Sequence, residues 1–298
     1  MNEHCHLSEA VKATIDLPDA ERIAGIRKPR WIGHPYAKTI LDKLEQLLAH
    51  PRMHRMPNLL IVADTNNGKT MTVNRFHRLH PAADNVDGDI ASVPVLLLQA
   101  PAVPNENRFY NAMFDSLGHP YRASQPAGRK VNQILHLLPT VGVRMLIIDE
   151  IHHLLAGSTN KQREFLNVLK YLGNELQTPI VGVGTKDAIR AIQTDPQLAN
   201  RFEPTGIPHW SLDRDFRMLL ASFESVLPLR APSRLSEQGL ATRLLAMSEG
   251  TIGELFSLLT SAAILAIRTG QERIDSKLLD ELKWVPPSER RRVIERLE

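Results

Sequence analysis

An apolar run, Leu59-Leu60-Ile61-Val62, breaks into Ala63-Asp64-Thr65-Asn66-Asn67-Gly68-Lys69-Thr70, and an amphipathic stretch comes next. Few folds accept that order. The run reads as a buried strand and the segment around Gly-Lys-Thr as a loop. The amphipathic stretch reads as a helix whose first N–H groups have no partner within it. Such a loop holds the phosphates of a nucleoside triphosphate with many small dipoles. On this reading Asp64, Thr65, Asn66, Asn67, Gly68, Lys69 and Thr70 line the nucleotide. Lys69 reaches the β and γ phosphates, and the Thr70 hydroxyl ligates Mg²⁺. The usual pattern GxxxxGK[ST] carries a Gly where this chain has Ala63, which matters if that position needs a positive φ. The competing reading is an Asn-Gly hairpin turn with a solvated lysine. The segments downstream argue against it.

Three more apolar runs lie further on, at Val93–Leu98, Arg144–Asp149 and Pro179–Gly184, and a shorter fifth candidate spans Ile207–Leu212. Helical patterns separate them. Continuous apolar strands alternating with helices predict an α/β fold with a five-stranded parallel sheet covered on both faces. From Asp215 the strand signal fades, and Leu240, Leu244, Leu245 and Met247, then Leu255, Leu258 and Leu259, recur at helical spacing. The expected division is a helical extension over 1–56, an α/β core over 57–213, and a small all-helical domain with a basic tail over 214–298. A hydrophobic fraction of 43% over 298 residues suffices for such a core. The single cysteine, Cys5, excludes a disulfide within the chain. No stretch approaches the ~18 apolar residues of a membrane span. The polar start, Met1–His6, has no signal-peptide core, so the expectation is a cytoplasmic protein without a membrane partner. His4, Cys5 and His6 make a poor metal site, being adjacent at a terminus. A net charge of +3 permits a polyanionic partner without demanding one.

The third run ends in Asp149-Glu150. In phosphate-loop ATPases an apolar strand delivers an Asp that holds Mg²⁺. Asp149 then joins Thr70 as a metal group, and Glu150 polarises the attacking water. Taken alone, the two acids read better as a helix cap; Lys69 and Thr70 upstream turn the balance to the metal and water roles. His152 and His153 come directly after, but neighbours on an α-helix point about 100° apart, which disfavours shared ligation. A guanine-reading N/T-K-x-D string is missing, which leaves ATP with Mg²⁺ as the expected cofactors.

Met56–Val62 leading into Asn66–Thr70, together with Phe165-Leu166-Asn167, Val183–Ala188 and Gln197–Phe202, resembles the TniB family of transposition ATPases, within the AAA+ superfamily and related to TnsC-type regulators. The resemblance runs over about residues 25–285. It implies that Thr185 takes the sensor-one role and that Arg201 is an arginine finger acting on ATP in a neighbouring subunit, so Glu150, Thr185 and Arg201 form the catalytic set. It implies an ATP-dependent ring or filament on double-stranded DNA without strong sequence preference, a separate transposase as partner, and room for a targeting adaptor. It places adenine near Arg30–Tyr36, where Trp31 or Tyr36 would stack. Arg108, Arg129, Lys130, Lys161 and Arg163, after the second and third strands, become the DNA-contact candidates; the Arg290-Arg291-Arg292 run, diluted by Glu289, Glu295 and Glu298, reads as a solvated helix face in preference to a DNA or partner contact. Gly250–Leu255 lacks the Arg that many such lids carry, which points to slow, regulatory hydrolysis. Two alternatives stay open: an AAA+ loader of a helicase or clamp, and a nucleotide-gated scaffold with negligible hydrolysis.

Overall fold

The computed structural model describes residues 4–84, 91–154 and 157–290. They fall into two compact units. One covers residues 36–208; the other joins the residues up to Pro35 with those from His209 onward. Residues 36–56, which the sequence pattern places in the extension, thus group with the sheet.

The sheet unit holds α3 (Pro35–Ala49), β1 (Asn58–Val62), α4 (Lys69–Leu79), β2 (Val95–Gln99), α5 (Glu106–Ser116), α6 (Ala127–Thr140), β3 (Met145–Asp149), α7 (Thr159–Leu176), β4 (Ile180–Gly184), α8 (Lys186–Gln193), α9 (Pro196–Ala199) and β5 (Phe202–Gly206). The five strands are all parallel, in the order β2-β3-β4-β1-β5. Successive side chains of a strand face opposite sides, and the core divides accordingly. Leu60, Val62, Leu96, Leu98, Leu146 and Ile148 pack with Phe109, Ile134 and Leu169 on one face. Leu59, Ile61, Val95, Met145, Ile147, Val181 and Val183 pack with Ile40, Leu44, Val73 and Phe76 on the other. Burial on both faces is why these strands read as unbroken apolar runs.

The first four runs of the sequence are β1 to β4. The fifth is displaced: the strand is Phe202–Gly206, not Ile207–Leu212. It is an edge strand that pairs only with β1, and Glu203, Pro204, Thr205 and Gly206 are not buried. Proline belongs on edges, and an edge needs no apolar run. Ile207 stands out in the sequence because it is a core residue, and its N–H still donates to Val62 O.

The helical unit holds α1 (Glu9–Lys12), α2 (Asp19–Ile26), α10 (Arg214–Val226), α11 (Gln238–Ser248), α12 (Ile252–Arg268) and α13 (Ser276–Glu281). Leu219, Phe223, Leu244, Leu255, Leu259 and Leu278 are buried in it, and Ala262, Ala263 and Ala266 keep α12 slim on its buried side. Leu7, Val11 and Ile15 pack against Val226. Arg22 on α2 is buried and donates to Glu272, Asp19 and the Pro228 carbonyl. Gly250, at φ +70°, stands where a Cβ would come 2.7 Å from Trp210 O, so no other residue fits. Among the described residues no single helix is long and apolar enough to cross a membrane.

His34 lies edge-on to Trp210, ring centroids 5.3 Å apart. Burial pushes its imidazole from an ordinary 6.5 down to about 4. Between those values the unfolded chain binds the proton and the folded chain does not. Stability from this site is therefore complete above pH 6.5 and falls on acidification towards pH 4, by about 1–3 kcal/mol in all. Urea unfolding at pH 7 and pH 5 should show this loss in wild type and a smaller one in His34→Phe. Equal losses in the two proteins would contradict the assignment.

Candidate nucleotide site

The loop leaving β1 runs into α4 with two residues in the left-handed region, Asn66 (φ 61°) and Gly68 (φ 84°). Asparagine and glycine are the residues that adopt it most readily. Ala63 is not among the positive-φ residues and is buried in the core. Its methyl group therefore costs the loop no backbone strain. Asn67 is buried, and its Nδ2 donates to the carbonyls of Ile207 and Pro208, 3.0 and 3.1 Å away. Its side chain thus ties the loop to the segment after β5. Lys69 Nζ folds back onto the carbonyls of Ala63 and Asp64, both at 2.9 Å. Burial draws the Lys69 ammonium below the ordinary lysine range, against the opposing fields of Glu150, Asp149 and Asp64. Desolvation disfavours the charged ammonium, and a phosphate entering the loop would offset that cost. Asp64 also faces Lys186, 3.4 Å away, a pair that the sequence alone does not suggest.

At the end of β3, Thr70 Oγ1 donates to Asp149 Oδ2 at 2.7 Å. Asp149 Oδ1 accepts the Glu150 N–H at 2.8 Å. Two oxygens this close, one from each arm of the site, suit a single small, hard cation. Glu150 sits at φ 54°, a costly conformation for a residue with a Cβ and one that clusters at functional sites. It turns the chain into a single 3₁₀ turn, Ile151–His153. Gly182 and Gly184 on β4 make room for that turn. A Cβ at Gly182 would come 2.9 Å from Ile151 Cδ1, and one at Gly184 would come 3.2 Å from Ile151 Cγ2. His152 and His153 stand with ring centroids 4.4 Å apart; successive residues of a 3₁₀ turn point about 120° apart, so it is the side-chain conformations that bring the rings together. The divergence expected from α-helical geometry does not occur. Thr185 caps α8, and its Oγ1 is buried with no hydrogen-bond partner among the described residues. An orphaned buried hydroxyl beside such a loop calls for a ligand or water.

Arg201 lies directly before β5, its Nη1 donating to Asn174 Oδ1 at 2.8 Å. It lines a surface cavity of about 530 Å³ with His50, Met53 and Arg55. Of the candidate DNA contacts, Arg108, Arg129, Lys161 and Arg163 are exposed, and none has an ion-pair partner among the described residues. Lys130 must be corrected. It is 0% exposed; its Nζ donates to Ala123 O at 3.1 Å and stands 5.7 Å from the centroid of the Tyr121 ring. Its aliphatic stem fills the inner face of α6, so in this conformation it meets no phosphate. Arg290 is engaged as well: it forms a two-bond pair with Glu254 and lies over Trp284. Arg291 and Arg292 lie outside the described residues. Tyr36 packs partly buried against the α3 side of the sheet, and Trp31 belongs to the helical unit.

A parallel sheet of order β2-β3-β4-β1-β5, with a phosphate loop after β1 and Asp-Glu after β3, defines the class: an AAA+ P-loop ATPase. The solved structures that resemble it agree. One is the ORC2 protein of Aeropyrum pernix in ADPNP-ADP complexes, 15% identical, covering 88% of this chain and 71% of that one, with a TM-score of 0.61. Another is the ORC1 protein of the same organism in complex with DNA, at 17%, 88%, 68% and 0.61. A third is Cdc6p from Pyrobaculum aerophilum, at 16%, 84%, 67% and 0.53. At these identities the likeness is one of fold. No curated protein matches the chain. The family model described as Bacterial TniB protein matches residues 22–212, and the chain belongs to that family.

Proposed function

We propose that this protein is an ATP-dependent, DNA-binding regulator of transposition. ATP binding drives its assembly on duplex DNA, the assembly recruits or activates a separate transposase, and hydrolysis takes it apart. The observation that supports the nucleotide half is the Thr70–Asp149 contact beside Lys69, a pair of oxygens of the kind that Mg²⁺ takes, next to a phosphate loop. Thr70 and Asp149 would hold Mg²⁺, which would supply charge neutralisation at the phosphates. Lys69 releases the two loop carbonyls to meet phosphate, Glu150 takes the proton of the attacking water, and Thr185 offers its orphaned hydroxyl to that water or to the γ-phosphate. Arg201 reaches ATP in the adjoining subunit. Its planar, permanently charged fork suits phosphoryl charge. Hydrolysis is slow, because Gly250–Leu255 carries no arginine of the kind that many such lids supply. Turnover stays below the enzyme median of about 10 per second. The protein works in the cytoplasm.

The DNA half rests on family membership and on Arg108, Arg129, Lys161 and Arg163, four exposed cations without an ion pair among the described residues. Reversing Arg129 and Lys161 to Glu should flatten the salt dependence of duplex binding by about 0.9 per lost phosphate contact. An unchanged slope would remove this face from the reading. The test of the whole is duplex binding with and without ATP-Mg²⁺. Wild type should bind tightly only with nucleotide, and Lys69→Ala weakly in both conditions. A Lys69→Ala protein that binds DNA as wild type does with ATP would refute nucleotide gating.

A further inference from the structure

The pair His152-His153 has no part in the function above, yet it converges on Glu150. One ligating atom from each of Glu150, His152 and His153 lies within 4.8 Å of the other two. His152 Nδ1 stands 3.3 Å from Glu150 Oε2, yet it is buried and makes no aligned hydrogen bond. Two ligands held ~2.0–2.1 Å from one zinc ion at a tetrahedral angle stand roughly 3.3 Å apart. A buried ring nitrogen without a partner is itself uncommon.

We propose that Glu150, His152 and His153 form a second cation site, selective for a borderline divalent ion of the zinc class, and that its occupancy stops ATP hydrolysis. Imidazole nitrogens prefer zinc, nickel and copper, whereas Mg²⁺ keeps to oxygens. Excess Mg²⁺ at Thr70 and Asp149 therefore does not compete for the two histidines. The ion takes the Glu150 carboxylate as its third protein ligand, and water completes the shell. The inhibitory half rests on the reading of Glu150 as the group that activates water. With that carboxylate coordinated, ATP stays bound and unhydrolysed, so zinc holds the protein in the state that ATP creates.

The experiment is equilibrium dialysis of the nucleotide-free full chain against zinc in excess Mg²⁺. Wild type should hold one equivalent at this site. His152→Asn or His153→Asn should weaken it at least roughly tenfold, since even the outer partners of zinc ligands are worth that much. A His4→Asn/His6→Asn variant controls for the N-terminal histidines and should keep the equivalent. No bound zinc, or an equivalent that leaves with His4 and His6 and survives loss of His152 and His153, overturns the site. Equimolar zinc should also lower ATP turnover by wild type to the level of Glu150→Gln and leave turnover by His153→Asn insensitive to zinc. Bound zinc with undiminished turnover overturns the inhibition. If wild type turns over no ATP in Mg²⁺ alone, the ATPase reading fails, while dialysis still decides the site.

Discussion

Glu150→Gln should keep ATP and stop consuming it. The substitution preserves shape and the backbone N–H that binds Asp149 Oδ1, so Lys69, Thr70 and Asp149 keep their places. What is lost is a carboxylate that can accept a proton. A positioned general base contributes about 10²–10⁴ in rate. Single-turnover hydrolysis should therefore fall at least about 100-fold, with binding of a fluorescent ATP analogue unchanged. The left-handed backbone at Glu150 matters here. It takes the chain out of the line of β3 with the carboxylate in electrostatic reach of Lys69, while Asp149 stays buried. A variant that retains hydrolysis near the wild-type level would mean that another group handles the proton. A variant that loses ATP as well would mean that Glu150 is structural.

The second large effect lies in the helical unit. The Arg22 side chain is fully buried, against Glu272 at 13% exposure and Asp19 at 59%. Its Nη1 donates to Glu272 Oε1 at 2.8 Å, and its Nε to Pro228 O at 3.2 Å. Burial alone would raise the Glu272 carboxyl. The hydrogen bond from Arg22, the Arg230 N–H and both guanidinium charges hold it below the usual carboxylate range instead. Its stabilising share is thus complete above the ordinary glutamate value and is lost as pH falls through the lowered one. Removing one member of a buried pair costs about 3–5 kcal/mol, because the other charge stays behind. Arg22→Ala should fall at the lower end, about 3 kcal/mol, since Arg230 still meets Glu272, through Nη1 at 3.2 Å. The pair replaced as Arg22→Met with Glu272→Met should recover only part of this. The Pro228 carbonyl and the Arg230 N–H would remain without these partners. Chemical denaturation followed by a helical signal measures both. A loss under about 1 kcal/mol for Arg22→Ala would show that the network is hydrated and replaceable.

Much of this was legible in the chain because its physical cause is local. Strands buried on both faces must be apolar throughout, so β1 to β4 announce themselves. β5 does not, because an edge strand carrying Glu203, Pro204 and Thr205 obeys no such rule, and its pairing partner is 144 residues away at Asn58. The phosphate loop and Asp149-Glu150 are recognisable because their chemistry fixes residue types at fixed spacing. The departure at Ala63 drew attention to the wrong position. The left-handed residues are Asn66 and Gly68, which the sequence supplies in suitable types. Lys130 shows the opposite limit. Charge suggested the surface, but helical phase puts it on the inner side of α6 with Ile134 and Leu138. The Arg22–Glu272 pair spans 250 residues and left no mark in the sequence. The approach of His152 and His153 depends on side-chain conformations, which residue spacing does not record.

The central claim is that nucleotide state sets assembly on DNA, through Arg201 acting between subunits. Its most direct test is particle mass by light scattering on duplex DNA, with ATP-Mg²⁺ or ADP, for wild type, Glu150→Gln and Arg201→Ala. The account predicts large particles with ATP only, persistent in Glu150→Gln and absent in Arg201→Ala. A monomer under every condition while ATP is still turned over would contradict it, as would Arg201→Ala particles as large as those of wild type.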